Sequence, residues 1–156
     1  MIKTNVKGVQ EAKAAMKKAI EDFMSDKFVT VGIHEDAGAR EDGVTNAQIG
    51  AVNHFGGGNT PARPWLDIGV MKGVPLYSDV IRSVSESGEN LDMALNRIGI
   101  LAVTSAQEYI TELNSPANAP STVAKKGSAN PLIDTGILRS SVSYKITATE
   151  SEEGIS

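Results

Sequence analysis

Residues 45–66, TNAQIGAVNHFGGGNTPARPWL, leave the backbone little freedom. Thr45 and Gln48 have the spacing of a capping box: the Thr45 hydroxyl accepts from the Gln48 amide, and the Gln48 side chain reaches back. The spacing predicts a short helix over 46–55. Gly56-Gly57-Gly58 then stops it, because glycine takes the left-handed conformations that helix ends require. Pro61 and Pro64 each fix φ near about −65°, and Pro64 pushes Arg63 away from helix. The expectation is a stiff extended segment that aims Trp65 and Leu66 at one place. Aromatics make up only 4% of the chain, so Trp65, Phe23, Phe28 and Phe55 are the expected anchors of a core otherwise built from Ile, Leu, Val, Met and Ala.

The flanking sequence supplies further elements. Val9, Ala12, Met16, Ile20 and Phe23 recur at spacings of three and four, which predicts an amphipathic helix over 9–24 that covers a sheet, or else docks on a partner. KFVTVGI, residues 27–33, is rich in β-branched and aromatic residues and reads as a strand. A charged, glycine-punctuated loop follows over 34–43. Pro75 suits the first turn of a helix carrying Leu76, Tyr77, Val80, Ile81 and Val84, with Gly88 as its stop. Asn90 caps the longest predicted helix, 91–113, which places Leu91, Leu95, Ile98, Ala102 and Tyr109 on one face. Ile100, Val103 and Ile110 widen that apolar surface beyond one stripe, as expected for a helix that is central or covered by a neighbouring subunit. Residues 114–131 carry Pro116, Pro120 and Pro131, several Ser, Ala and Asn residues, and Lys125-Lys126, with no apolar period; they read as an arm that orders on assembly. After the Asp134-Thr135-Gly136 turn, Val142, Tyr144, Ile146 and Ala148 alternate with polar residues, the mark of a half-buried strand. The organisation expected is one α+β domain over 1–148 and an acidic tail over 149–156. Its sheet is small and mostly antiparallel, covered by two or three helices.

Size and charge narrow the function. A chain of 156 residues buries roughly 70% of its unfolded surface as one domain. Fifteen Lys and Arg against nineteen Asp and Glu give a net charge of −4, which argues against sequence-independent binding of nucleic acid, where cations must neutralise phosphates. With no cysteine, disulfides, thiolate catalysis and cysteine-based zinc sites are excluded. The opening MIKTNVKGVQEAK has no signal-like apolar run, and the apolar stretch 98–103 is too short to cross a bilayer. A soluble protein made in a cytoplasm is the expectation.

Catalytic chemistry finds little support. His34-Glu35-Asp36 is the one cluster with metal-ligand character, but consecutive residues on a strand alternate faces, so a solvated loop is the simpler reading. His54 lies on another element without a His or carboxylate at helical spacing, and HExxH is absent. Neither glycine-rich stretch ends in Gly-Lys-Ser/Thr, and no serine sits in a nucleophile elbow. No cofactor, metal or catalytic residue is expected. Trp65 reads first as a core anchor and second as an interface residue, since Trp and Arg are enriched at hot spots. Arg63 either pairs with an acidic neighbour or lies over its own helix.

Four segments occur in an informative order. They are Val31-Gly32-Ile33, a short helix closing on Phe55-Gly56, the turn Pro61-Ala62-Arg63-Pro64-Trp65-Leu66, and Pro131-Leu132-Ile133-Asp134-Thr135-Gly136. In this order the chain resembles the tail-completion (neck) proteins of long-tailed bacteriophages, including the Mu-type virion-morphogenesis group. The likeness spans residues 29–146. His54 stands where that family carries an acidic residue, and Gly57-Gly58-Asn59 is a local variation. The resemblance implies a non-enzymatic virion protein of the head–tail junction. It would form a closed ring, a hexamer by tail symmetry, that finishes the tail and permits joining to the head. Neck, connector and tail-tube proteins are the implied partners, and DNA would pass through without specific binding. A tail terminator or head-side stopper is the nearest alternative; a metal-dependent hydrolase and a DNA-binding regulator are remoter ones. The expected interface residues are Arg63, Trp65, Ile100, Val103, Ile110, Pro120, Lys125 and Lys126.

Overall fold

Two strands from opposite ends of the chain form the sheet of an α+β fold. The computed structural model describes residues 6–23, 27–114 and 136–148, with Pro120 and Ala124, and the side chains of its first helix from Gly8 to Lys18. In chain order the elements are α1 (Val6–Phe23), β1 (Phe28–Gly32), α2 (Asn46–Phe55), α3 (Trp65–Lys72), α4 (Val74–Ser87), α5 (Leu91–Glu112), α6 (Ile137–Ser140) and β2 (Ser143–Thr147). Strands β1 and β2 pair antiparallel, from Phe28 opposite Thr147 to Gly32 opposite Ser143. Most of the predicted arm, including Lys125 and Lys126, and the acidic tail lie outside the described residues.

Local signals set the element ends. Thr45 Oγ1 accepts from the Gln48 amide at 3.1 Å, and the Thr45 amide donates to Gln48 Oε1 at 3.0 Å, so the capping box that opens α2 is complete. Gly56 ends α2 at φ +81°, and its amide donates to the Val52 carbonyl. A methyl at Gly56 would also sit 2.9 Å from the Ala62 nitrogen, so this turn needs glycine for conformation and for space. Asn90 Oδ1 accepts from the Met93 amide at 3.0 Å and opens α5. Thr45→Ala is expected to cost about 1 kcal/mol, the usual worth of such a cap. Thermal unfolding checks it, and an unchanged midpoint would show that α2 is held by packing alone.

Helix α5 is the central element, touching α3, α4, α6 and both strands. Its buried positions are mostly small: Ala94, Gly99, Ala102, Ser105 and Ala106, with Ile110 as the large exception. Small residues let neighbours come close. A methyl at Gly69 of α3 would lie 2.8 Å from the Ala106 Cα, and one at Gly99 would overlap the Tyr144 ring of β2. Tyr144 Oη in turn donates to Asn96 Oδ1 at 3.0 Å, tying β2 across α5. The core gathers Trp65, Ala106, Ile110, Leu113, Leu138 and Val142. Short helix α6 is locked to α5 reciprocally: Gln107 Nε2 donates to the Arg139 carbonyl and Arg139 Nε to that of Gln107.

Two expectations are corrected, and one helix is new. The new helix is α3, which Trp65 begins directly after the Pro-Ala-Arg-Pro segment, with Pro64 in the capping position. No side-chain cap and no clean apolar period announce α3; its close crossing of α5 at Gly69 supports it instead. Among the described residues it is α5 that covers the sheet rather than α1, and α1 is exposed at every described position from Val9 to Lys18. The loop after β1 is solvated only in part. Glu35 and Asp36 are exposed in a 3-10 turn, but His34 is buried, and Asn46 Nδ2 pins the loop by donating to the Ala37 carbonyl at 2.9 Å.

Candidate functional site

The Pro-Ala-Arg-Pro-Trp corner is a structural joint. The Arg63 amide donates to the Asn53 carbonyl at 2.9 Å, which fastens the segment along α2. Trp65 Nε1 then donates to the Gly50 carbonyl at 3.1 Å, and Gly50 has no side chain to separate helix from indole. Trp65 is 2% exposed and Arg63 3%. Burial holds the Arg63 guanidinium below the ordinary arginine pKa, since desolvation disfavours the charged form.

A cleft of about 280 Å³ opens beside this corner, between β1, α2 and the start of α3. It gathers His34, His54 and Asp67, three residues the sequence scatters over separate elements. His54 Nε2 lies 3.4 Å from Asp67 Oδ2, and its ring meets Phe55 and Trp65 edge-on at centroid distances of 4.6 and 6.2 Å. That pair was not legible in advance, because α3 was not expected and Asp67 belongs to it. Among the residues lining the cleft, Thr30 is the one hydroxyl. Among the described residues no group of three or more His, Asp or Glu is arranged to hold a metal ion. His54 acts here as a wedge between α2 and α3.

The expected interface residues separate into two groups. Arg63, Trp65 and Ile110 belong to the interior, which corrects the expectation that they face a partner. The reason is local: α3 folds the indole back under α2, and Ile110 points from α5 into the core. Val103 is partly buried against the same core, whereas Ile100 is exposed on α5 and Pro120 is exposed. Other apolar side chains are exposed as well, which corrects the expectation that Phe28 and Phe55 anchor the core: only Trp65 of the expected aromatic anchors is in the buried cluster among the described residues. Val52 and Phe55 on α2, and Ile68 and Met71 on α3, form pairs one turn apart on helices that meet. Val74, Leu76 and Ile81 are exposed along α4.

No helix of the described residues is long and apolar enough to cross a membrane. Set against protein-family models, curated proteins and solved structures, the chain matches none of them.

Proposed function

We propose that the chain is a structural subunit of a bacteriophage head–tail junction, a tail-completion protein that works by closing into a ring, with a hexamer favoured. One observation carries the reading. Among the described residues fourteen large apolar side chains are exposed while nine apolar residues are buried, three of them alanines, so apolar side chains are available to neighbouring subunits on several faces. The exposed residues are spread over α1, α2, α3, α4, α5, α6, β1 and the loop before α2, which suits a subunit with a different neighbour on each side. The sheet points the same way. With two strands among the described residues it is small, and adding a strand from a neighbour is a common way to extend such an edge. The order of the Phe-Gly, Pro-Ala-Arg-Pro-Trp-Leu and Pro-Leu-Ile-Asp-Thr-Gly segments supplies the link to neck proteins. The subunit's work is assembly: it presents one face to the tail tube, another to the connector, and leaves a passage for DNA.

Light scattering across a concentration range tests the reading. The expected result is a discrete closed oligomer whose size stops growing with concentration. A monomer that persists both alone and in mixtures with phage tails would overturn it.

A further inference from the structure

One edge of β1 has no strand beside it. The strand pairs with β2 along its other side, and among the described residues the sheet ends there, with no hydrogen bond reaching the outer side of residues 29–33. In an antiparallel pair alternate residues turn amide and carbonyl away from the partner strand. The outer side of β1 therefore presents backbone donors and acceptors ready for pairing.

The 280 Å³ cleft described above runs along this side, because residues 30–34 line it in unbroken succession. Successive strand residues face opposite ways, so a cleft that touches every one of them follows the strand's edge and not one of its faces. The opposite wall is a single face of α2, where Ala47, Gly50, Ala51, His54 and Phe55 fall at spacings of three and four. Three of those five are Ala or Gly, which keeps the slot between helix and strand open. Beyond the end of β1 the slot closes, where Ile33 Cδ1 lies 2.8 Å from the place of a Cβ on Gly50. A strand edge that faces a helix across such a slot is the setting in which an extended peptide adds as a further strand.

Size and charge choose among occupants. The volume falls just short of the roughly 300–1,000 Å³ of small-molecule pockets. The sheet edge of a second copy would bring its own α2 and α3 against these walls, an obstacle that a single extended segment does not meet. Among the described lining residues Asp67 is the one carboxylate, 73% exposed, and none is Lys or Arg, so the slot favours a cation. We infer that the cleft docks an extended peptide segment of another protein, which pairs with the outer edge of β1 as a third strand and sets a Lys or Arg against Asp67. Branched apolar residues beside that cation supply the strand propensity. The inference goes beyond ring closure and does not depend on it.

The test uses the full-length chain and a capped pentapeptide, Thr-Val-Lys-Val-Thr, followed by backbone amide NMR. Saturable shifts are expected at residues 29–33 and along α2, with a Kd of about 1 mM. Replacing the peptide's Lys by Glu should weaken binding about fivefold, and Asp67→Asn should erase that preference, since an exposed pair is worth little more. Methylating the peptide's backbone nitrogens should remove binding, because edge pairing needs their protons. Ala51→Leu fills the slot without touching β1 and should also remove it, with circular dichroism as the check on folding. No saturable shift up to about 10 mM peptide would overturn the inference. So would a methylated peptide that binds equally well, or shifts centred away from β1. If the peptide instead breaks up an oligomer of the chain, the cleft belongs to a second copy and the inference falls. Light scattering at saturating peptide is expected to show the oligomer unchanged, so the ring reading stands or fails on its own measurement.

Discussion

Trp65→Ala is expected to destabilise the chain by about 3–5 kcal/mol, the usual loss when a large aromatic is truncated in a packed interior. Two terms add in that figure. The indole is 2% exposed and packs with Ala106, Ile110 and Leu113, so its removal leaves a cavity in the core cluster. Its Nε1 also donates to the Gly50 carbonyl, and truncation removes that buried hydrogen bond. Trp65→Phe separates the terms: it keeps much of the volume and loses the donor, so about 1–3 kcal/mol is expected. Urea unfolding followed by circular dichroism reads both variants, since Trp65 is the sole tryptophan and its fluorescence disappears with it. An unchanged midpoint with weakened assembly would return Trp65 to the interface.

Arg63 should follow Trp65, for a reason only the structure supplies. A surface arginine in a turn can be truncated at little cost, and the sequence alone allowed that role. Buried at 3% exposure, the guanidinium has given up its water, and replacing it by alanine removes stem packing and leaves whatever it contacts to adjust.

What could be read in advance was what short-range chemistry decides. The Thr45 capping box, the Gly56 and Gly88 stops and the Asn90 cap lie where their sequence signals put them, because each depends on neighbours within four residues; both strands also lie where their β-branched runs and alternation put them. The missed features depend on contacts distant in sequence. Helix α3 exists where Gly69 lets it lie against Ala106, a contact between residues far apart in the chain. The His54–Asp67 pair follows from α3 and could not be inferred without it. The position of α1 shows a different limit. Its period gives an amphipathic helix, which α1 is, but a period does not say which surface the apolar side will meet. Helix α5 took the place over the sheet because Gly99 admits the Tyr144 ring, and no residue of α1 offers such a seat among the described contacts.

The same limit explains why three apolar residues of α5, expected to act together, should behave differently. Val103 and Ile110 are seven residues apart and lie almost above one another, while Ile100 is turned by about 80° from Ile110. Ile110 is 0% exposed in the core cluster and Ile100 is 56% exposed. Ile110→Ala is therefore expected to cost about 2–5 kcal/mol, with the spread set by how far Trp65 and Leu113 relax into the gap. Ile100→Ala should stay within about 0.5 kcal/mol of wild type in the isolated subunit, because a surface truncation removes little packing. In assembly the order reverses where Ile100 meets a neighbour: a folded Ile100→Ala subunit then gives fewer complete rings at equal concentration. Denaturation and light scattering on the same two variants read both effects. If Ile100→Ala lost as much stability as Ile110→Ala, Ile100 would belong to the subunit's own packing. If it assembled like wild type, the apolar excess of α5 would serve no interface at that position, and the contacts that close a ring would have to lie on the other exposed helix faces.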